Sequence, residues 1–221
     1  MIEQRKVQVI SHALTIVINE LNKHLAAYGL AGASQVQLGN LAEGFKSAGA
    51  NTPGVSRDVL NLSLVNIKEE KALKNLPSYV RNDTKLTAIY QNSPVFLNFQ
   101  ILIVATHVNY SDALLMLSRA LRFFQQGNVF THDSVAPSSI TDNQPINPLD
   151  RLDEFKLIFD LCSPSMEEIN HLWGTLGGKQ YPFALYLLRM LDLKFSAVQG
   201  ESGLITEIAS DFYHKNAVAS S

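Results

Sequence analysis

The chain has 221 residues, of which 46% are hydrophobic and 17% charged, enough apolar material for a packed core and too much for a chain disordered throughout. Eighteen basic and twenty acidic residues leave a formal charge of −2, so no global field recruits a polyanion and nucleic acid is not an expected partner. Cys162 is the only cysteine, which excludes an internal disulfide and a multi-cysteine zinc site and fits folding in the cytoplasm.

The first residues, Met1-Ile2-Glu3-Gln4-Arg5-Lys6, lead into a run interrupted by Ser11, His12 and Asn19. That pattern lacks the unbroken apolar stretch of a signal peptide. It reads instead as a helix over 4–28, with Val7, Ile10, Leu14, Val17, Leu21 and Leu25 on one stripe and Gly29 as its stop. Val36 and Leu38 predict a short strand, and 43–58, with Gly44, Gly49, Pro53 and Gly54, predict a loop. Leu60, Leu62 and Leu64 alternate with polar residues as a half-buried strand does. The parity shift at Val65 and Ile67 predicts a bulge there.

Residues 77–92 are polar and read as loop or sheet edge. Residues 95–105 are apolar on both faces, which places that strand in the centre of a sheet. Tyr110, Ala113, Leu114, Leu117, Leu121 and Phe124 then share a helix face, with Ser111 or Asp112 as candidate cap. Residues 127–150 hold three of the eight prolines and no Lys or Arg, and predict a long loop anchored at its ends and free in its middle, either disordered or a working surface that orders on contact with a partner. A strand through Phe155, Leu157, Phe159 and Leu161 follows, and a helix from about Ser165 to Leu176, with Ser163-Pro164 and Glu167 as its start and Gly177-Gly178 as its end. A last strand runs near Phe183–Leu193, and Leu204–Tyr213 is amphipathic.

This order implies an α/β fold of α+β character, a mixed, largely antiparallel central sheet with helices packed on it. The expected division is a domain over 1–193 and a C-terminal extension over 194–221.

No dinucleotide, P-loop, nucleophile-elbow or HExxH signature occurs. Glu167 and His171 lie four apart on one helix face, where a carboxylate orients a histidine for base chemistry or metal binding; a solvated face is the commoner meaning of that spacing. Cys162, ending an alternating strand without a basic neighbour in sequence, reads as packing rather than a nucleophile. Trp173 is expected to pack on Leu176 and the last strand. No residue is assigned a catalytic, cofactor-binding or metal-binding role.

Three segments, in order, resemble one family. They are Leu64-Val65-Asn66-Ile67-Lys68-Glu69-Glu70 with Ala72-Leu73-Lys74-Asn75; Pro94-Val95-Phe96-Leu97-Asn98-Phe99 with Tyr110-Ser111-Asp112-Ala113-Leu114 and Phe123-Phe124-Gln125; and Glu167-Glu168-Ile169-Asn170-His171-Leu172-Trp173 with Leu176-Gly177-Gly178 and Tyr181-Pro182-Phe183-Ala184-Leu185-Tyr186. Together they are similar to the N-terminal-domain family of contractile-injection-system tube and sheath terminators, the caps of antifeeding-prophage-type and virulence-cassette-type particles. Lys68, where the family commonly has an acid, and Phe183, where it commonly has a small hydroxyl residue, depart from the pattern.

The resemblance implies a tail-terminator-like fold and a non-enzymatic subunit with no cofactor and no metal. The implied assembly is a homohexameric ring that ends the inner tube and anchors the last sheath layer. Its partners are then a second copy of itself, the inner tube protein and the sheath protein, with no small-molecule substrate and no membrane insertion. Assembly in the bacterial cytoplasm without a signal peptide follows, within a particle released by lysis or kept on the cell. An adaptor or baseplate component of the same machine, and a small α/β ligand-binding domain or enzyme using the Glu167/His171 face, are the competing readings.

Overall fold

The computed structural model describes residues 10–29, 35–46, 54–70, 79–82, 87–91, 96–152, 154–190 and 198–203. These fall into two compact units, one within 1–75 and 94–195, the other within 76–93 and 196–221. The expected amphipathic stretch at 204–213, the helix start at 4–9 and the strand end at 191–193 lie outside the described residues.

The larger unit is built on a six-stranded sheet in the order β1-β2-β5-β8-β7-β6. Its strands are β1 (Val36–Leu38), β2 (Leu60–Glu69), β5 (Leu97–Ala105), β6 (Val129–Thr131), β7 (Lys156–Cys162) and β8 (Phe183–Met190). Only the β1–β2 pair is parallel; the other four pairs are antiparallel. The expected mixed, largely antiparallel sheet is therefore present. The register of β2 against β5 slips between Leu64 and Asn66, so the parity shift at Val65 is a bulge.

Helices cover both faces, and this explains the double-sided hydrophobicity of β5. Phe99, Ile101, Ile103 and Ala105 face a core shared with α1 (Ile10–Ala26) and α2 (Tyr110–Gln126). Leu102 and Val104 face a second cluster under α4 (Met166–Thr175). All six are fully buried. A Phe124–Phe130–Phe159–Tyr186 cluster joins the end of α2 to β6, β7 and β8. Burial there pushes the Tyr186 phenol up to about 12.

Several local signals are displaced. The cap of α2 is Asn109, whose side chain accepts from the Ser111 N–H, so neither Ser111 nor Asp112 caps the helix. Tyr110 and Leu114 are exposed; Ala113, Met116, Leu117, Ala120 and Phe124 form the buried stripe. The cap of α4 is Ser165 rather than Ser163, and its box partner is Glu168 rather than Glu167. Gly177 and Gly178, at φ +97° and +75°, turn the chain out of α4 in a conformation that suits glycine.

Residues 127–150 are not a free loop. They contain β6, the short helix α3 (Pro137–Thr141) and a 3-10 turn at Pro148–Asp150. Phe130, Val135 and Ser139 are buried. The polar face of α1 clamps the segment. The Asn19 amide donates to the carbonyls of Ser139 and Asp142, the Lys23 ammonium to the hydroxyls of Ser138 and Ser139, and the Glu20 carboxylate accepts from the Ala136 N–H.

The smaller unit is a three-stranded antiparallel sheet, β3 (Tyr79–Asn82), β4 (Thr87–Gln91) and β9 (Val198–Gly203), in the order β3-β4-β9. Of the expectation of loop or sheet edge over 77–92, the edge holds for β3, while β4 is a central strand, which corrects it there.

Candidate functional site

Glu167 and His171 do share a face of α4, with Nε2 of His171 3.8 Å from the Glu167 carboxylate. Their side chains are 85% and 79% exposed respectively, so nothing holds the ring or excludes water from it. Glu168 beside them has a structural duty. The Ser165 N–H donates to its carboxylate at 2.8 Å while its own N–H donates to the Ser165 hydroxyl. The Ser165 N–H, and then its hydroxyl, hold the Glu168 carboxyl below the ordinary glutamate range.

Cys162 is partly buried at the end of β7, and packs against the cluster under α4. Burial, and then the nearby Asp160 carboxylate, push its thiol up, which favours the unreactive protonated form. Among the described residues, no three His, Cys, Asp or Glu side chains gather as a metal site. Trp173 is buried against Phe183, with ring centroids 5.4 Å apart, and shares its cluster with Leu176. This is the packing expected for it. The loop after β1 joins the same cluster through Phe45, which meets Tyr181 at 5.6 Å and carries the Arg57 guanidinium 4.1 Å over its ring.

What the surface offers is contact area. Val108 and Tyr110 are strongly exposed ahead of and at the start of α2, where Tyr110 and Leu114 border a shallow hollow of about 460 Å³ with Tyr181 and Phe183. A second hollow, of about 600 Å³, lies beside α4 between Asn66, Lys68, Gln100, Cys162 and His171. At the two sides of the six-stranded sheet, Leu64 and Ile67 of β2 and Leu161 of β7 are exposed aliphatic residues. Leu64, Ile101, Tyr186 and Leu161 stand in one cross-strand row. No local motif distinguishes Leu64, Ile67 or Leu161 in the sequence, because a position on an edge is defined only by the strand order. Among the described residues no helix is long and apolar enough to cross a membrane.

Residues 12–207 match the sequence profile of a family described as the Pvc16 N-terminal domain. No curated protein matches the chain. Its fold is similar to that of a sheath/tube terminator, in the extended state, from PVC, an extracellular contractile injection system, solved by cryo-electron microscopy; the TM-score is 0.50 at 14% identity over 97% of this chain. It is also similar, at a TM-score of 0.47 and 15% identity over 89% of this chain, to the tube-terminating cap of the anti-feeding prophage. The chain spans 66% and 60% of the lengths of those two proteins.

Proposed function

The chain belongs to the family of Pvc16 N-terminal domains, and from that premise we propose that it is the structural cap of a contractile injection particle, a subunit that ends the inner tube and anchors the last sheath layer. The observation that carries this reading is the family match over residues 12–207, nearly the whole chain. The fold shared with a sheath/tube terminator supports it. The surface chemistry agrees. Exposed aliphatic and aromatic residues on rigid elements suit permanent protein contacts, whereas the polar pair singled out by spacing, Glu167/His171, stands in open solvent.

In this reading the subunit is not an enzyme, and it works as a closed ring of identical copies, six in number, meeting tube protein on one side and sheath protein on another. A head-to-tail contact repeated until the rotation closes produces such a ring without any further component. Residues 1–193 are the cap domain and 194–221 its extension. The particle assembles in the bacterial cytoplasm.

The test is genetic and microscopic. Particles made without this chain are expected to carry tubes and sheaths of uncontrolled length with bare ends, and the chain supplied in trans restores a capped end opposite the spike. Particles of normal length with a normal cap in its absence overturn the proposal. Density for the chain at the baseplate end would favour the adaptor reading instead.

A further inference from the structure

The six-stranded sheet has two edges, and each is open over part of its length. On one side β1 pairs with β2 only over Leu60–Leu62, and the last bond on that side runs from the Gly39 N–H to the Leu62 carbonyl. On the other side β6 pairs with β7 only over Lys156–Ile158, and the last bond runs from the Phe159 N–H to the Asn128 carbonyl. Among the described residues no strand pairs with the outer edge of β2 from Leu64 to Lys68, or with that of β7 beyond Phe159.

Backbone parity decides which residues point out of the sheet. The Glu70 N–H donates inward to the Phe96 carbonyl, so Lys68 and Asn66 also turn their backbone groups toward β5 and Ile67 turns its own outward. The Phe159 N–H points outward to Asn128, so the backbone of Leu161, two residues on, points outward as well. Ile67 is level with Phe99, and Leu161 with Tyr186, so both side chains project from the face that carries α1 and α2. They are 48% and 59% exposed. Asp160 and Lys68 project from the opposite face, the one under α4. Finally, β7 runs antiparallel to β2 through the alternation of the strands between them.

We propose that the open edges of β2 and β7 pair with each other between neighbouring copies of this chain, Ile67 opposite Leu161 of the next copy, and so continue the sheet from subunit to subunit. The inference rests on the ring reading above and names its contact. The register sets the two outward-pointing residues as a hydrogen-bonded pair and joins two exposed aliphatic side chains on one face. It also brings Lys68 opposite Asp160 of the next copy on the other face. Aliphatic and opposite-charge cross-strand pairs are the ones that stabilise antiparallel ladders. Asp160 accepts from Arg189 of its own chain, and it keeps a partly exposed carboxylate for a second cation. Lys68 is exposed; in its own chain it shares a hollow with Glu168, whose carboxylate it attracts from a distance, and its ammonium is open to a second carboxylate. A lysine and a bulge also blunt an edge against unwanted pairing. Blunting alone has no use for an aspartate in the matching position of the opposite edge, nor for uncovered aliphatic residues on both.

Cross-linking of the full chain tests the pairing. In a Cys162→Ser background, Ile67→Cys and Leu161→Cys are combined in one chain. A hydrogen-bonded antiparallel pair holds its Cα atoms about 5.5 Å apart, within disulfide range. Mild oxidation, alone and with the tube protein of the same particle, is expected to give a ladder of covalent oligomers ending at the ring, and neither single cysteine variant gives it. Lys68→Glu should weaken ring formation at least tenfold, and Lys68→Glu with Asp160→Lys should recover part of the loss. Under mere edge blunting Lys68→Glu changes nothing, because glutamate blunts as well as lysine. Three results overturn the proposal: no ladder in the double-cysteine chain, dimers from Ile67→Cys alone, or assembly indifferent to Lys68→Glu. If the unaltered chain forms rings while the ladder is missing, another surface closes the ring and the cap reading stands. A chain monomeric under every condition overturns the pairing, and the cap reading is then decided by the particle microscopy.

Discussion

His12 and Leu152, 140 positions apart, are joined by a 2.9 Å hydrogen bond from the Leu152 N–H to Nδ1 of the imidazole. The other ring nitrogen therefore carries the proton and donates to the Ile140 carbonyl at 3.0 Å. His12 is only 1% exposed; its bond to Leu152 is buried and its bond to Ile140 partly so. It pins the first helix to the C-terminal end of α3 and to the chain just past the 3-10 turn at Pro148–Asp150.

Replacing His12 by Phe keeps the ring volume and leaves the buried Leu152 N–H and the partly buried Ile140 carbonyl without a partner. Each orphaned group costs about 1–3 kcal/mol. Equilibrium denaturation should show a clear fall in midpoint with an unchanged slope. A midpoint equal to that of the unaltered chain would mean that water reaches Leu152 and Ile140.

The same clamp governs what happens when 127–150 is shortened to a brief Gly/Ser linker. Loop-closure entropy alone changes slowly with length and would forgive the deletion. The segment, however, carries Phe130 and Val135 into the main core and supplies β6, the neighbour of β7, so its removal strips β7 of that partner. The shortened chain is expected to unfold at a much lower temperature or to precipitate on expression. Retained melting behaviour would show that this segment is peripheral to the core.

These contacts mark where the sequence is legible and where it is not. The bulge at Val65 and the central place of β5 are written in local parity and in a two-faced apolar run, and both can be read without knowing any neighbour. The fixing of 127–150 depends on Asn19, Glu20, Lys23 and His12, more than a hundred positions away, and leaves no local period. Polar residues of α1 that interrupt an apolar run turn out to be its attachment points. In the smaller unit, β9 reads Val198-Gln199-Gly200-Glu201-Ser202-Gly203, a composition poor in strand formers that is a strand through its pairing with β4. The exposed Ile67 and Leu161 illustrate the same limit at the surface, since alternation marks both as inward and only the extent of β1 and β6 shows that no described strand covers them.

Trp173 separates packing from hydrogen bonding. Its indole Nε1 is buried and finds no acceptor among the described residues. Trp173→Ala empties the space against Phe183 and Tyr181 and should cost about 3–5 kcal/mol. Trp173→Phe removes the unpaired N–H together with part of the ring, so it should cost markedly less than the alanine change. If the two variants lose equal stability in thermal melts, the indole nitrogen has a partner that matters. If Trp173→Ala melts normally yet fails to assemble, the residue belongs to an interface.

Two neighbouring acids on α4 differ in what they hold. Glu167 and His171 form an exposed pair, the kind worth about 0.2–1 kcal/mol, and replacing both by Gln should leave melting and assembly nearly unchanged. Loss of a hydrolytic or metal-dependent activity in that double variant would overturn the structural reading. Ser165, by contrast, is the N-cap, and Ser165→Ala should cost about 1 kcal/mol. The effect has a pH signature through Glu168, whose carboxyl is held below its ordinary value by the Ser165 N–H and hydroxyl. A group with a lowered folded-state pKa binds protons more readily when unfolded, so its stabilisation is fully present above the ordinary glutamate range and is lost as pH falls through the lowered value. The stability gap between the unaltered chain and Ser165→Ala should therefore be widest near neutral pH and shrink on acidification. The gap should also be smaller throughout in a Glu168→Gln background, because the reciprocal bonds act as one unit. Paired denaturation curves at neutral and acidic pH check this. A gap that stays constant with pH would mean that the Ser165 hydroxyl caps the helix without help from the Glu168 charge.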